Sequence, residues 1–228
     1  MTDPLLQDAQ LRLDAALEKL TAMFRGAVAA PDEVQCTCHW GSAEELALLK
    51  VPDVELQPER LRRAWQAAYW KDRGAVLRRV LPQLARDLAD RESESFRSMD
   101  DVGLAFARAR WSEWPPQQVA AVREFLDAFW IRSLVTPDGQ AGDALAFCVE
   151  ASGELSPWLD VWKALDHPAA DRNLVEAVDR WRAAFRIHEL PWVSTHDEDE
   201  LLAVLTAWLT DLGKHPQTGG LQRHDEAV

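Results

Sequence analysis

Tyrosine and cysteine are scarce in this chain, with one and three copies among 228 residues. Three thiols do not build the paired framework of a small secreted domain. No apolar run approaches the ~20 residues that a membrane-spanning helix requires. Met1-Thr2-Asp3-Pro4 carries no basic region ahead of an apolar run, so no secretory signal is expected and a reducing cytoplasm is the expected setting. Period-two alternation is nearly absent and β-branched runs are short, which leaves no strand candidate. The chain also lacks GxGxxG, a Walker loop, HExxH, GxSxG and any ExxH pair. Nucleotide-binding, zinc-protease, ordinary hydrolase and di-iron readings therefore lose their usual support.

Basic residues are in deficit as well. Lys and Arg number 25 against 38 Asp and Glu, a net charge of −13. The basic residues are scattered among acids, so no concentrated patch is expected to displace the counterions of a nucleic acid or to hold an anionic membrane. The overall charge instead favours a basic protein or peptide partner.

What the sequence does have is helical spacing almost throughout and eleven tryptophans. Leu6, Leu13, Leu17, Leu20, Phe24 and Val28 fall on one stripe, which predicts a helix over 4–29 ended by Pro31. Ser42-Ala43-Glu44-Glu45 has the form of a capping box and predicts a short helix ended by Pro52. Pro58 opens the next, to about Ala68. Asp72 caps another, to about Arg91, which Pro82 is expected to kink or split. Ser98 starts a helix to about Trp111, and Pro115-Pro116 start one that ends before Pro137. Residues 141–151, the segment from Ser156-Pro157, 169–188 and 197–213 complete the set, with Gly153, His167-Pro168 and Pro191 as breaks. The tail from 214 to 228 is polar and Gly-rich and is expected to be mobile.

The expected fold is all-α: an irregular multi-helix array of antiparallel helix pairs forming one domain over 1–213. Within it, residues 1–50 hold the first helix and a cysteine loop, and 51–213 the array. Helix pairs restart near Pro58, Ser98 and Gln140. Over about residues 57–166 this spacing resembles the ~40-residue period of HEAT and armadillo repeats, which implies an α-solenoid. The later helices do not keep the period.

One stretch gathers reactive side chains, Cys36-Thr37-Cys38-His39. Thiolates and imidazole suit tetrahedral zinc, and Cys148, His188 or His196 would have to supply the remaining ligand. A second reading is a thiolate nucleophile at Cys38, favoured by the helix that starts at Ser42 and by its neighbour His39. A third is a closed structural zinc staple. A fourth is plain packing of small apolar side chains. Glu150, Glu154, Asp160 and Asp166 are expected on solvated faces, and His188 and His196 in capping or surface roles. With no catalytic motif, the leading expectation is a helical interaction module that takes a protein or peptide in a tryptophan-lined groove. A zinc- or thiol-dependent enzyme centred on Cys36, Cys38 and His39 is the alternative.

Overall fold

The computed structural model describes residues 3–36, 40–67, 69–90, 99–137 and 140–213. Among these residues there are ten α-helices and no strand. They are α1 (Pro4–Met23), α2 (Ala43–Leu48), α3 (Pro58–Gln66), α4 (Arg73–Asp90), α5 (Met99–Arg108), α6 (Pro116–Val135), α7 (Ala141–Ser152), α8 (Ser156–Ala164), α9 (Pro168–Arg186) and α10 (Glu198–Gly213). A single 3-10 turn, Trp111–Glu113, links α5 to α6. Among the described residues no helix is long and apolar enough to cross a membrane.

Local chemistry explains the ends. The Asp3 carboxylate accepts from the N–H groups of Leu5 and Leu6 and so caps α1. At Ser42 the capping box is complete: Ser42 Oγ accepts from Glu45 N–H at 3.2 Å, and the Glu45 carboxylate accepts from Ser42 N–H at 3.1 Å. Asp72 caps α4 through Ala75 N–H at 2.8 Å. His167 caps α9, its Nδ1 accepting from Ala169 N–H at 3.2 Å while Nε2 reaches Asp3 at 2.7 Å. One neutral tautomer serves both bonds, so the caps of the first and ninth helices are joined.

Some boundaries differ from those expected. The first helix stops at Met23, well before Pro31, because Gly26 turns the chain with φ of 78°. Val28 is consequently exposed instead of lying on the apolar stripe. α4 runs unsplit through Pro82. α8 begins one residue early, so Leu155 holds the cap position and Ser156 is helical.

The packing follows the 40-residue restart only in part. In a solenoid each repeat touches its neighbours in sequence. Here the most extensive contact, α5 to α7, joins neighbouring pairs, whereas the next, α1 to α6, lies outside the restart, and the solenoid is not confirmed. The α1–α6 pairing is trimmed by Lys19 with Glu124, and by Gln10, whose carbonyl accepts from Arg132 Nε at 3.0 Å. Gly103 is the reason α5 and α7 lie so close: a Cβ there would stand 2.6 Å from Phe147 O and 2.7 Å from Glu150 Cβ.

Tryptophan fills the rest. Nine of the eleven are buried and two, Trp192 and Trp208, are half-buried. Five indoles donate to backbone carbonyls, among them Trp111 to Ala151 at 2.6 Å, Trp130 to Trp158 at 3.1 Å and Trp162 to Ala170 at 3.2 Å. Edge-to-face pairs such as Trp130–Trp162 tie α6 to α8.

Gly103→Ala is expected to lower stability by about 1–3 kcal/mol, because the backbone of α7 must move to admit one methyl group. Gly26→Ala meets no atom within 4 Å and pays only for its positive φ, about 1 kcal/mol. Chemical denaturation of the two variants should therefore show the larger loss in midpoint for Gly103→Ala.

Candidate functional site

The cysteine loop is fastened to the start of α4. Glu33 is fully buried, with 0% exposure, and its carboxylate accepts from Lys71 N–H at 2.8 Å and Asp72 N–H at 2.9 Å. Those amides belong to the turn that leads into α4, so a carboxylate from 38 residues upstream helps to close the helix end. Lys50 Nζ bridges the carbonyls of Pro31 and Glu33 at 2.7 and 2.9 Å. Asp32 pairs with Lys71, which holds the Asp32 carboxyl below its usual range and raises the Lys71 ammonium. On the far side, Trp40 packs edge-on against Trp70 at 5.0 Å, and Arg63 Nη1 donates to Trp40 O at 2.9 Å.

Cys36, exposed, lies between these anchors, while Thr37, Cys38 and His39 fall outside the described residues. The other ligands expected for zinc are placed elsewhere. Cys148 is 0% exposed in the middle of α7, and burial, aided by the Asp127 charge, pushes its thiol well above the ordinary value. A thiol that resists ionisation is a poor zinc ligand. His188 is exposed at the end of α9 with φ of 59°. His196 lies against α7, its Nε2 3.2 Å from Glu150 O. Among the described residues no three His, Cys, Asp or Glu side chains form a group fit to hold a metal ion. Of the expected set Cys36, Cys38, His39, Cys148 and His188, the described members Cys36, Cys148 and His188 form no such group, and Cys38 and His39 lie outside the described residues.

Glu150 also departs from expectation. It was expected on a solvated face, yet it is 0% exposed. Its carboxylate accepts from Trp192 Nε1 at 3.1 Å, Ser194 Oγ at 2.6 Å and Thr195 N–H at 3.2 Å. Nearby, buried Asp100 accepts from Val193 N–H at 3.2 Å. Burial raises the Asp100 carboxyl, partly offset by that bond. Together they hold the connection between α9 and α10 against α5 and α7. Every polar atom of the Glu150 carboxylate is engaged by that connection, which makes it a fastening, not an open catalytic acid.

A concavity of 540 Å³ lies between the start of α4 and the end of α5. Trp70 and Trp114 lie along it. Lys71, Arg73 and Arg78 reach it from the start of α4, and Arg108 and Arg110 from the end of α5. Asp32, outside the lining, pairs with Lys71, and among the described lining residues only Asp72 and Glu113 are acidic. Both have local work: Asp72 caps α4, and Glu113 pairs with Arg110 at 2.6 Å. Arg78 lies over the Trp114 ring at 5.0 Å, and Trp114 Nε1 donates to Ala109 O at 3.1 Å. Arg110 turns the chain with φ of 53°, ending α5 so that its side chain and Glu113 share the rim. Arg73, the first residue of α4, adds a positive charge to the positive end of a helix. With Asp32 counted, five cations meet three acids, which still reverses, locally, the sign of the whole chain.

No family model matches this chain, and no curated protein or solved structure matches it. The groove was not legible in the sequence, because its cations come from two segments about 35 residues apart that only the fold brings together. The one available signal was the clustering of Lys71, Arg73 and Arg78, and of Arg108 and Arg110, at two predicted helix ends.

Two outcomes follow. Glu33→Ala leaves the part-buried Lys71 and Asp72 amides without this acceptor, and is expected to cost about 1–3 kcal/mol in chemical denaturation. In the folded protein a thiol-specific reagent is expected to modify Cys36 and spare Cys148 until denaturant is added. Mass mapping of the labelled peptides reads both sites. Labelling of native Cys148 would contradict its placement.

Proposed function

We propose that the chain is an interaction module whose groove between the start of α4 and the end of α5 binds an acidic segment of a partner protein or peptide. The observation that carries this reading is the local reversal of charge: Lys71, Arg73, Arg78, Arg108 and Arg110 surround one concavity in a chain of net charge −13. The partner expected from overall charge is basic. Overall charge governs long-range steering, whereas a bound segment meets the side chains of the groove itself.

Trp70 and Trp114 present apolar edges beside the guanidinium groups. That combination suits an acidic segment carrying an aliphatic or aromatic side chain. Arginine forks take carboxylates bidentately, and the indole edge covers the apolar neighbour. The tryptophan-lined groove expected from composition is thereby reduced to two residues, with the other tryptophans supplying the core or other surfaces. No described group around the groove forms a nucleophile with its base, which supports a binding role over a catalytic one.

Fluorescence anisotropy with labelled peptides tests the reading. A Glu-rich peptide containing one Trp or Leu is expected to bind, and a Lys-rich peptide of equal length is not. Arg73→Glu with Arg108→Glu should weaken the acidic peptide by tenfold or more, since each lost charge-assisted contact is worth roughly 1.5–3 kcal/mol. Binding should also fall as salt is raised. Equal binding of both peptides, or an unchanged affinity in the double variant, would refute the proposal.

A further inference from the structure

A second cavity, of 320 Å³, lies between the end of α1, the 53–55 segment and the middle of α4. Arg79, Pro82, Gln83 and Arg86 reach it from one face of α4, at the i, i+3, i+4 and i+7 spacing of a helix. Thr21 and Arg25 reach it from α1 and the turn after it.

Arg79 is the unusual member. It is 6% exposed, yet its described hydrogen-bond partners are all neutral carbonyl oxygens. Nε donates to Val51 O at 2.9 Å, and Nη2 donates to Val54 O at 2.5 Å, with a longer approach of 3.5 Å to Leu48 O. Carbonyl dipoles orient a guanidinium without neutralising it. Burial lowers its pKa, and only the Asp53 charge works the other way. A buried charge is ordinarily matched by an opposite charge in contact. Among the described residues, no carboxylate lies within salt-bridge distance of Arg79, Arg25 or Arg86.

The acids that line the cavity do not fill this role. Asp53 is held in a left-handed conformation, φ of 56°, and its Oδ1 accepts from Gly26 N–H at 3.1 Å. Glu55 is exposed on the rim. Gln83 is spent on the backbone of Leu56, accepting from its N–H at 2.9 Å and donating to its O at 2.7 Å. Three guanidinium groups and two carboxylates line the cavity, with Asp87 acting on Arg86 and Glu55 from beside it, and the most deeply buried charge, Arg79, is the one with no carboxylate in contact among the described residues.

We infer that this cavity is a binding site for a small oxyanion, a phosphate or a carboxylate group, seated on the Arg79 guanidinium with Arg25 and Arg86 closing over it. The planar fork of arginine matches both anions, and the cavity volume lies in the range of small-ligand sites. The Thr21 side chain lines the same space from α1. Its hydroxyl already donates to Leu17 O at 2.9 Å, which leaves its lone pairs to accept from a protonated ligand group. This site is separate from the groove of the proposed function, and shares no residue with it.

The test uses the full chain, with inorganic phosphate and succinate as probes, against chloride at equal ionic strength. Calorimetry is expected to show saturable binding of at least one probe, with a matching rise in Tm. Which probe binds distinguishes a phosphate from a carboxylate site. Arg79 also anchors the 48–54 turn, so its own variants fold poorly and are not the deciding ones. Arg25→Ala with Arg86→Ala is expected to keep the far-ultraviolet spectrum and to weaken binding about tenfold or more. Arg73→Glu with Arg108→Glu, in the distant groove, is expected to leave binding within about twofold. No binding of either probe beyond the chloride control would overturn the inference. So would binding unchanged by the loss of Arg25 and Arg86, or binding abolished by the groove variant.

Discussion

The Glu150 carboxylate lies wholly inside the protein, and the connection between α9 and α10 hangs from it by three hydrogen bonds. A charge in that position is tolerable only while its partners stay in place. The same constraint recurs at the two other irregular stretches. Glu33 holds the cysteine loop to the start of α4, and Arg79 gathers the carbonyls of the 48–54 turn. Helices in this chain meet through tryptophan and leucine, but these three connections are each fixed by one buried polar side chain, Glu33 and Arg79 bonded to backbone and Glu150 to Trp192, Ser194 and the Thr195 N–H. Each arrangement is sensitive in the same way, because removing the side chain strands several polar groups at once.

That design places the two concavities. Glu33 pins the Lys71–Asp72 turn and so sets where Arg73 and Arg78 emerge beside the end of α5. Arg79, on the same helix, faces the other cavity. α4 therefore carries cationic residues in two directions, while its apolar face, with Val76, Leu77, Val80, Leu81 and Leu84, stays in the core. An acidic chain with cations concentrated around two hollows has segregated its charges, and the overall value of −13 describes neither hollow.

Much of the fold was legible in the sequence. Ser42 and Glu45, Pro58, Asp72, Pro116, Gly153 and Pro168 mark helix ends through local chemistry that needs no tertiary context. The end of α1 was misplaced because Pro31 is the stronger written signal, while Gly26 turns the chain first. The pairing of α1 with α6 was hidden, since periodicity assigns an apolar face and not the face it meets. Glu150 looked like any solvated acid on a helix, for its partners Trp192, Ser194 and Thr195 lie more than 40 residues away. Of the zinc set, Cys38 and His39 lie outside the described residues, and the described members do not group. Cysteine and histidine are conspicuous in sequence, but Cys148 is committed to the core of α7 and His188 to the end of α9.

The claim most exposed to test is that the groove beside α4, and not another surface, receives the acidic partner. Side-chain amide spectra of the full chain, recorded with and without a Glu-rich peptide, address it directly. The account predicts that the indole signals of Trp70 and Trp114 and the Nε signals of Arg73 and Arg108 shift together, with the core indoles of Trp130 and Trp158 unmoved. Shifts centred on the half-buried Trp192 and Trp208, with those four signals unchanged, would contradict it.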